Sequence, residues 1–266
     1  MAADSVPPKG LQVFPQRFKE NAVLLGTFVK TPTIHAVEIL GHVGYDFVVI
    51  DEEHAPIDRT DTDVILLACR ASGVAGLVRV SSHSATDILR ALDAGAAGVL
   101  VPHVNSVARA REVVAAGRYR PGSRGFSNSP RAGDYGGTGI WDHVEAQDTS
   151  TLVIAMIEDK EALDEIEEIV SVPGIDGVFI GRGDLTVSLD AESPASPEVK
   201  DAVARIIKAC RSAGTSICLM VGSAEEAAVF ESQGVTSFII SSDQGFMRMG
   251  AARARNEFAE KMKNVI

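Results

Sequence analysis

Short apolar runs alternate with helical patterns along most of the chain. The runs are rich in Val, Ile and Leu and are apolar throughout, as expected for strands buried on both faces of a parallel sheet. Between them, apolar residues recur with helical periodicity, as in the stripe formed by Val199, Val203 and Ile206. The predicted strands are Val23–Phe28, Phe47–Asp51, Gly76–Val80, Gly98–Val101, Leu152–Glu158, Gly177–Gly181, Ser216–Val221 and Ser237–Ser241.

Eight strand–helix units in a chain of 266 residues match the (β/α)8 TIM barrel. Helix ends support the pattern, since Ser223 begins a capping sequence and Gly73 and Gly214 follow predicted helices. An open doubly wound sheet is the alternative, but no Pro- or Ser-rich linker separates a second domain. We therefore predict an α/β fold with one barrel domain over residues 19–266. Residues 1–18 are expected to form a loose tail or an extra helix.

One connection is much longer than the others. Residues 118–139, RYRPGSRGFSNSPRAGDYGGTG, contain six glycines and four arginines and precede the fifth predicted strand. Long loops inside compact domains are usually functional or disordered. We expect this loop beside the mouth of the barrel, where its arginines either serve the function or are merely solvated.

Charge and composition restrict the partners. A formal net charge of −11 at pH 7 argues against binding to nucleic acid or to an anionic membrane. No apolar stretch approaches the ~20 residues of a spanning helix, and the first ten residues do not resemble a signal peptide. Cys69, Cys210 and Cys218 fall in apolar patterns, which predicts buried, reduced thiols. We expect a cytoplasmic protein that acts on small molecules.

Charged side chains follow five consecutive predicted strands, at the end of the barrel where active sites lie. A single one of them, such as Glu158 or Asp184, could simply cap the next helix, but their coincidence at one mouth predicts a functional site. In chain order these residues are Asp51, Glu52, Glu53, His54, Arg79, His103, Glu158, Asp159, Arg182 and Asp184.

The residue types at this mouth favour a hard divalent cation. Carboxylates without cysteine suit Mg²⁺ or Mn²⁺, which accept protein oxygens and keep positions for water and substrate. His54, His83 and His103 also lie beyond strand ends and could instead form a zinc site, although no short metal-binding spacing joins them. His103 alone is better explained as a hydrogen-bonded structural residue.

Five segments carry a resemblance to a known family: YDFVVIDEEHAPID, LVRV, AGAAGVLVPHV, RYRPGSRG and MIEDKEALDEIEEIVSVPGIDGVFIGRGDL. In order and spacing, from about residue 22 to residue 260, the chain resembles the HpcH/HpaI family of class II pyruvate aldolases. The resemblance implies a metal-dependent lyase that reversibly cleaves 4-hydroxy-2-oxo acids, similar to 4-hydroxy-2-oxoheptanedioate, to pyruvate and an aldehyde through a pyruvate enolate. It also implies a homo-hexamer, a trimer of dimers that exchange a C-terminal helix, here residues 244–264.

The resemblance assigns a metal and a carboxylate-binding group. Glu158 and Asp184 match the two protein ligands of the divalent metal, Mg²⁺ or Mn²⁺, with Co²⁺ as a further candidate. Arg79 matches the arginine that binds the pyruvate carboxylate and steadies the enolate oxygen. The backbone around Gly183, next to Asp184, would hold the same carboxylate.

The resemblance also assigns an acid–base pair. His54 matches the base that acts on the aldol hydroxyl, and Asp51 matches the acid that orients and polarises this histidine. Three positions depart from the family pattern: Met156 stands where some members have Gln, Val80 replaces a frequent Pro, and Arg182 begins a pair that replaces Pro-Ala. These departures concern the preference for the aldehyde rather than the pyruvate half of the chemistry.

Three other functions remain open from the sequence. Relatives with this fold decarboxylate oxaloacetate or condense it with acetyl-CoA, and both reactions use the same metal and arginine. A barrel that only binds its ligand is a further alternative.

A class I mechanism is an alternative for the aldolase itself. A class I aldolase forms a Schiff base through a lysine at the mouth, where only Lys30 and Lys160 lie, and Lys30 is the one serious candidate.

Overall fold

The computed structural model describes residues 9–263, with side chains from residue 13 onward. The strands are β1 (Leu24–Val29), β2 (Phe47–Asp51), β3 (Ala75–Arg79), β4 (Gly98–Val101), β5 (Leu152–Ile157), β6 (Gly177–Ile180), β7 (Ser216–Val221) and β8 (Ser237–Ser242). Each strand pairs in parallel with its neighbours in sequence, and β8 pairs with β1, so the sheet is a closed barrel. The predicted TIM-barrel fold is confirmed.

Helices cover the outside of this barrel. They are α1 (Lys9–Lys19), α2 (Ile34–Val43), α3 (Arg59–Ser72), α4 (Ala85–Asp93), α5 (Val107–Gly117), α6 (Ile140–Ser150), α7 (Ile166–Val170), α8 (Arg182–Ser188), α9 (Pro197–Ala213), α10 (Ala224–Glu231) and α11 (Asp243–Met262). Gly73 and Gly214 end α3 and α9 in the left-handed conformation, and Ser223 caps α10, as the sequence predicts. Within residues 9–263, none of these helices combines the length and apolarity that crossing a bilayer requires.

The core has two parts because strand side chains alternate between the inside and the outside of the barrel. The outer part, between strands and helices, consists mainly of Val, Ile and Leu. The inner part fills the barrel and is richer in aromatic residues. Phe28 and Phe179, for example, meet edge to face inside the barrel with their ring centroids 6.2 Å apart. This filled interior makes the barrel a rigid support for groups placed at its ends.

Helix α1 closes the amino end of the barrel. Phe14 and Phe18 are both buried, and the Phe14 ring lies 5.3 Å from that of Phe47 at the start of β2. The carbonyl oxygen of Phe18 accepts a hydrogen bond from Ser216 at the start of β7. Residues 9–19 therefore form a helix that belongs to the barrel, whereas residues 1–8 of the predicted tail lie outside the described residues.

The long loop lies at the amino end of the barrel, so the expectation that it borders the mouth is wrong. A segment that runs from the end of a helix to the start of the next strand returns to the end where strands begin. Arg118 donates to Thr151 and forms an ion pair with Asp176, and these partners directly precede β5 and β6. Arg131 donates to the carbonyl oxygen of Ala94 at the end of α4. These arginines hold the loop to the barrel base.

We expect the substitution Arg124→Met in this loop to lower the free energy of unfolding by about 3 kcal/mol, because it leaves a partly buried carboxylate without its partner. The Arg124 side chain is fully buried, and its Nη2 lies 2.8 Å from Asp93 Oδ1. Its guanidinium also lies 4.6 Å from the centroid of the Tyr119 ring. Urea unfolding followed by circular dichroism measures the loss.

The exposed Arg111 on α5 offers a matched control, and Arg111→Met should change stability by less than about 0.5 kcal/mol. Since the loop is remote from the mouth, folded Arg124→Met should keep the rate of the lyase activity that the family resemblance implies. A reduced rate at unchanged stability would return this loop to the functional site.

Candidate active site

The inward-facing register of the strands continues past their ends into the mouth. Phe28, Val49, Leu77 and Met156 belong to the inner core on β1, β2, β3 and β5. Two residues further along, on the same face, the chain carries Lys30, Asp51, Arg79 and Glu158. Four charged side chains therefore meet at the carboxyl end of the barrel, where the sequence predicts the site.

Asp51 contacts two of these side chains, Lys30 and Arg79. Its carboxylate is completely buried and accepts from Arg79 through Nε at 3.0 Å and Nη2 at 2.8 Å, while Lys30 Nζ lies 3.1 Å away. The backbone N–H groups of Glu53 and His54 also donate to Asp51 Oδ1. Burial alone would raise the pKa of Asp51, but the hydrogen bond and charge of Arg79, with the His54 N–H and Lys30, lower it to about 2. Asp51 is therefore ionised and fixes Arg79.

The expected contact between Asp51 and the His54 imidazole is not present. Asp51 accepts from the backbone N–H of His54 at 3.1 Å, and no hydrogen bond or ion pair joins its carboxylate to the ring. The imidazole is 57% exposed at the mouth, and its Nε2 lies 3.7 Å from Glu53 Oε2. The backbone bond arises because the chain turns sharply after β2 and its first free N–H groups point back at the strand-end carboxylate. Glu53 is thus the carboxylate beside His54.

Glu53 is a candidate site residue that the sequence analysis left unassigned. Its Oε2 is buried without a hydrogen-bond partner and lies 3.4 Å from Arg79 Nη1. The alternation of β2 could have identified it, because residues 51 and 53 share a face whereas residue 52 faces away. Glu52 indeed accepts from the hydroxyl of Thr62 on α3, outside the mouth.

Glu158 and Asp184 lie on the opposite side of the mouth, on adjacent units of the barrel. Glu158 is buried, and its Oε1 accepts from the backbone N–H of His103 at 2.8 Å. Burial raises the pKa of Glu158, His103 opposes this effect, and the negative charges of Asp184 and Glu53 add to it, so that the pKa is about 7. Asp184 lies in the first turn of α8 and lines the cavity.

These carboxylates fit a hard divalent cation. A cation held by Glu158 and Asp184 would relieve the repulsion and desolvation that raise the pKa of Glu158. The negative charge of Glu53, whose Oε2 has no hydrogen-bond partner, also acts on Glu158. Between residues 9 and 263 no three His, Cys, Asp or Glu side chains form a complete metal site. A cation held by two protein carboxylates keeps coordination positions for substrate oxygens and water.

The alternative zinc site of His54, His83 and His103 is not formed in the described part of the chain, where no three such ligands converge. His103 instead adopts a left-handed backbone conformation with φ of 54°, and its Nδ1 lies 3.1 Å from Asp159 Oδ1. These contacts agree with the structural role predicted for His103, whose N–H holds Glu158.

A cavity of about 1130 Å³ opens at this mouth. Phe28, Arg79 and the buried Met156 line its deeper part, and Gly183 lies at its rim. A Cβ atom at Gly183 would meet nothing within 4 Å, so the backbone at the start of α8 is open to the cavity. The outer part runs between α9 and α10 and is largely apolar, with Val203, Val229 and Phe230 among its lining residues.

Arg182, which departs from the family pattern, has a structural explanation. Its guanidinium donates to Glu226 and to the carbonyl oxygen of Met220, both at 2.7 Å, and lies 5.2 Å from the centroid of the Phe230 ring. It thereby ties the start of α8, which carries Asp184, to β7 and α10. Val80 is the one of the three replaced positions that does not line the cavity, and it is fully buried in the outer core.

Comparison with known proteins identifies the family of the chain. The model of the HpcH/HpaI aldolase/citrate lyase family matches residues 24–248. The chain is 36% identical to a hydroxypyruvate/pyruvate aldolase of Rhizorhabdus wittichii, over 89% of this chain and 94% of the relative. It is 34% identical to a 2-dehydro-3,6-dideoxy-6-sulfogluconate aldolase of Pseudomonas putida, over 86% and 90% of the two chains.

A solved structure extends the comparison. The crystal structure of the citrate synthase SbnG superimposes with a TM-score of 0.86 at 29% identity, over 94% of this chain and 98% of that one. The matched relatives are enzymes, which removes the alternative of a barrel that only binds its ligand. The chain therefore belongs to the HpcH/HpaI aldolase/citrate lyase family, within which it is an aldolase-type carbon–carbon lyase.

Proposed function

We propose that the chain is a divalent-metal-dependent class II aldolase that reversibly cleaves 4-hydroxy-2-oxo acids to pyruvate and an aldehyde. The observation that carries this proposal is the placement of a buried guanidinium, Arg79, opposite two carboxylates, Glu158 and Asp184, at one barrel mouth. A 2-oxo acid needs a cation for its carboxylate and stabilisation of negative charge on its keto oxygen. Within this class, the sequence resemblance favours a substrate similar to 4-hydroxy-2-oxoheptanedioate.

Arg79 and the backbone at Gly183 would bind the carboxylate of the 2-oxo acid. Asp51 occupies Nε and Nη2 of Arg79, which leaves Nη1 directed at Glu53 and the cavity. The open backbone of Gly183 begins α8 on the other side of the cavity. A planar carboxylate between the two would be oriented before any bond breaks.

Cleavage of the carbon–carbon bond leaves negative charge on the enolate oxygen of pyruvate. Mg²⁺ or Mn²⁺ bound by Glu158 and Asp184, with Co²⁺ as an alternative, would stabilise this charge as a Lewis acid. Arg79 adds a fixed positive charge beside the same oxygen in a buried setting. The His103 N–H holds the Glu158 carboxylate in place for its role as a ligand.

His54 would move the proton of the substrate's C4 hydroxyl. An imidazole suits proton removal near neutral pH, and the ring of His54 is exposed at the mouth. Glu53 Oε2, 3.7 Å from His54 Nε2, would stabilise the imidazolium formed during cleavage. Asp51 contributes through the backbone, since its bond to the His54 N–H fixes the loop that carries the imidazole.

Exchange of the pyruvate methyl protons with D₂O tests the proposal without a guess about the aldehyde. We expect NMR to show exchange with Mg²⁺ or Mn²⁺ and none with excess chelator. Borohydride added with pyruvate should leave the mass of the protein unchanged, because Lys30 Nζ is engaged in an ion pair with the buried Asp51. An adduct on Lys30, together with exchange that survives chelation, would establish class I chemistry instead.

A condensing or decarboxylating reaction on oxaloacetate is the second candidate. It is supported by the similarity to a citrate synthase and by a cavity much larger than pyruvate with a small aldehyde requires. The apolar outer part of this cavity could admit an acyl thioester. Assays with oxaloacetate, with and without acetyl-CoA, separate decarboxylation and condensation from aldol cleavage by their products.

We also propose that copies of the chain assemble through α11, as a hexamer built from dimers. Helix α11 has no buried residue over its whole length. Met247, Met249 and Phe258 on this helix are 67%, 48% and 66% exposed in the single chain. A second copy that covers these side chains would remove this apolar surface from water. Residue 264 of the helix segment predicted to exchange lies outside the described residues.

A reducing compartment, the cytoplasm, is the location that we propose. Cys69, Cys210 and Cys218 are all free and buried. Burial raises the pKa of the Cys69 and Cys210 thiols to about 12, so both are protonated and unreactive at neutral pH.

A further inference from the structure

Lys30 is a charged residue of the mouth for which the proposed reaction has no role. It follows β1 on the inward face, directly above Phe28, and lines the cavity together with Arg79. Its Nζ lies 3.1 Å from Asp51 Oδ2, and its side chain is 27% exposed. It is therefore a cation held inside the site rather than a solvated surface lysine.

The backbone at Lys30 is held by the start of α11. Asp243 accepts from the backbone N–H of Lys30 at 2.9 Å and from that of Thr31 at 3.1 Å. The side-chain amide of Gln244 donates to the carbonyl oxygen of Lys30 at 3.1 Å. Three hydrogen bonds thus fix the point from which the lysine side chain reaches Asp51.

The charges around Arg79 show what this lysine supplies. Asp51 contacts Arg79 through two hydrogen bonds, and Glu53 Oε2 lies 3.4 Å from the remaining nitrogen of the guanidinium. Two carboxylates against one guanidinium would leave this side of the mouth negative and repel an incoming carboxylate. The ammonium of Lys30 on Asp51 balances the second carboxylate, at a place where opposite charges interact strongly.

We propose that Lys30 is a positioning residue that neutralises Asp51, so that the positive charge of Arg79 at Nη1 stays available to the carboxylate of the 2-oxo acid. This inference rests on the proposed function, since it assigns Arg79 the same carboxylate. It also makes the first turn of α11 part of the support of the site, through Asp243 and Gln244.

The test compares Lys30→Met with Lys30→Arg, and with Lys208→Met on the exposed face of α9 as the control. Methyl-proton exchange of pyruvate in D₂O with saturating Mg²⁺ gives KM and kcat, and calorimetry gives the Kd of pyruvate. We expect Lys30→Met to raise KM and Kd about tenfold or more with kcat lowered less than threefold. Lys30→Arg should restore KM to within about threefold of wild type, and Lys208→Met should match wild type.

Each other outcome overturns a different statement. The role of Lys30 is overturned if folded Lys30→Met has unchanged KM and Kd, or if Lys30→Arg does not restore KM. In either case, pyruvate exchange by the wild type still upholds the proposed function. A wild-type protein that neither binds nor exchanges pyruvate overturns both. If Lys30→Met does not fold, Asp243→Asn tests the inference instead. This substitution loosens the backbone that carries Lys30 and should raise the KM of pyruvate about threefold. An unchanged KM in Asp243→Asn refutes the inference.

Discussion

Replacing Glu158 or Asp184 by alanine should lower pyruvate exchange and aldol cleavage by at least about 10³-fold, since loss of a preorganised electrostatic group alone often costs about 10²–10³ in rate. Both carboxylates lie at the mouth, so neither substitution should unfold the barrel. Burial raises the pKa of the Glu158 carboxyl group to about 7, so its removal also eliminates the cost of burying a charge. Titration calorimetry with Mn²⁺ should show that each variant binds the metal much more weakly than wild type.

Glu168→Ala, at an exposed position of α7, is the control for loss of a carboxylate and should behave as wild type in every assay. Circular dichroism verifies that the variants are folded. Wild-type activity in Glu158→Ala, or full activity of the metal-free wild type in excess chelator, would show that the reaction does not use a metal at this place.

His54→Ala should lower kcat for aldol cleavage by roughly 10²–10⁴, the usual contribution of a general acid–base group. The imidazole is exposed whereas Arg79 and Glu158 are buried, so pyruvate exchange and the KM of the 2-oxo acid should change much less. Steady-state kinetics with a 4-hydroxy-2-oxo acid, set beside pyruvate exchange, measures both effects.

His42→Ala, on the exposed surface of α2, controls for the loss of an imidazole and should leave both reactions unchanged. A His54→Ala variant with normal kcat and only a raised KM would make this histidine a binding residue. A proportional loss of pyruvate exchange would place it on the pyruvate half of the reaction instead.

Strand order and strand limits follow from the sequence because each strand is a continuous apolar run. The predicted limits of β2, β4 and β7 agree with the structure, and the other strands differ by one residue at one or both ends. Helix α6, in contrast, has no apolar stripe to predict it, since His143 and Val144 are its buried residues. The composition of residues 118–139 does not indicate at which end of the barrel the loop lies, whereas the direction of the chain, from a helix towards the next strand, sends it to the amino end.

The sequence predicts which residues form the candidate site better than it predicts the contacts between them. Alternation along β1, β2 and β3 suffices to bring Lys30, Asp51 and Arg79 together, as the structure shows. The expected contact between Asp51 and the His54 imidazole rests on the family resemblance alone. It is not present because the direction of a side chain after a turn depends on backbone angles that residue order does not reveal. Glu53, two residues beyond Asp51, then occupies the place beside the imidazole.

The helix that carries Phe14 and Phe18 has a kinetic consequence. Because these rings and the inner core seal the barrel at its amino end, every molecule enters and leaves through the opposite opening. In the proposed reaction, pyruvate at the buried Arg79 would lie deeper than the aldehyde formed near the exposed His54. We therefore expect the aldehyde to depart first and pyruvate last. In cleavage, pyruvate should then inhibit competitively against the 4-hydroxy-2-oxo acid, and the aldehyde should inhibit noncompetitively. Helix α1, at the end of the barrel opposite the site, thus limits both products to one exit and contributes to the order of their release.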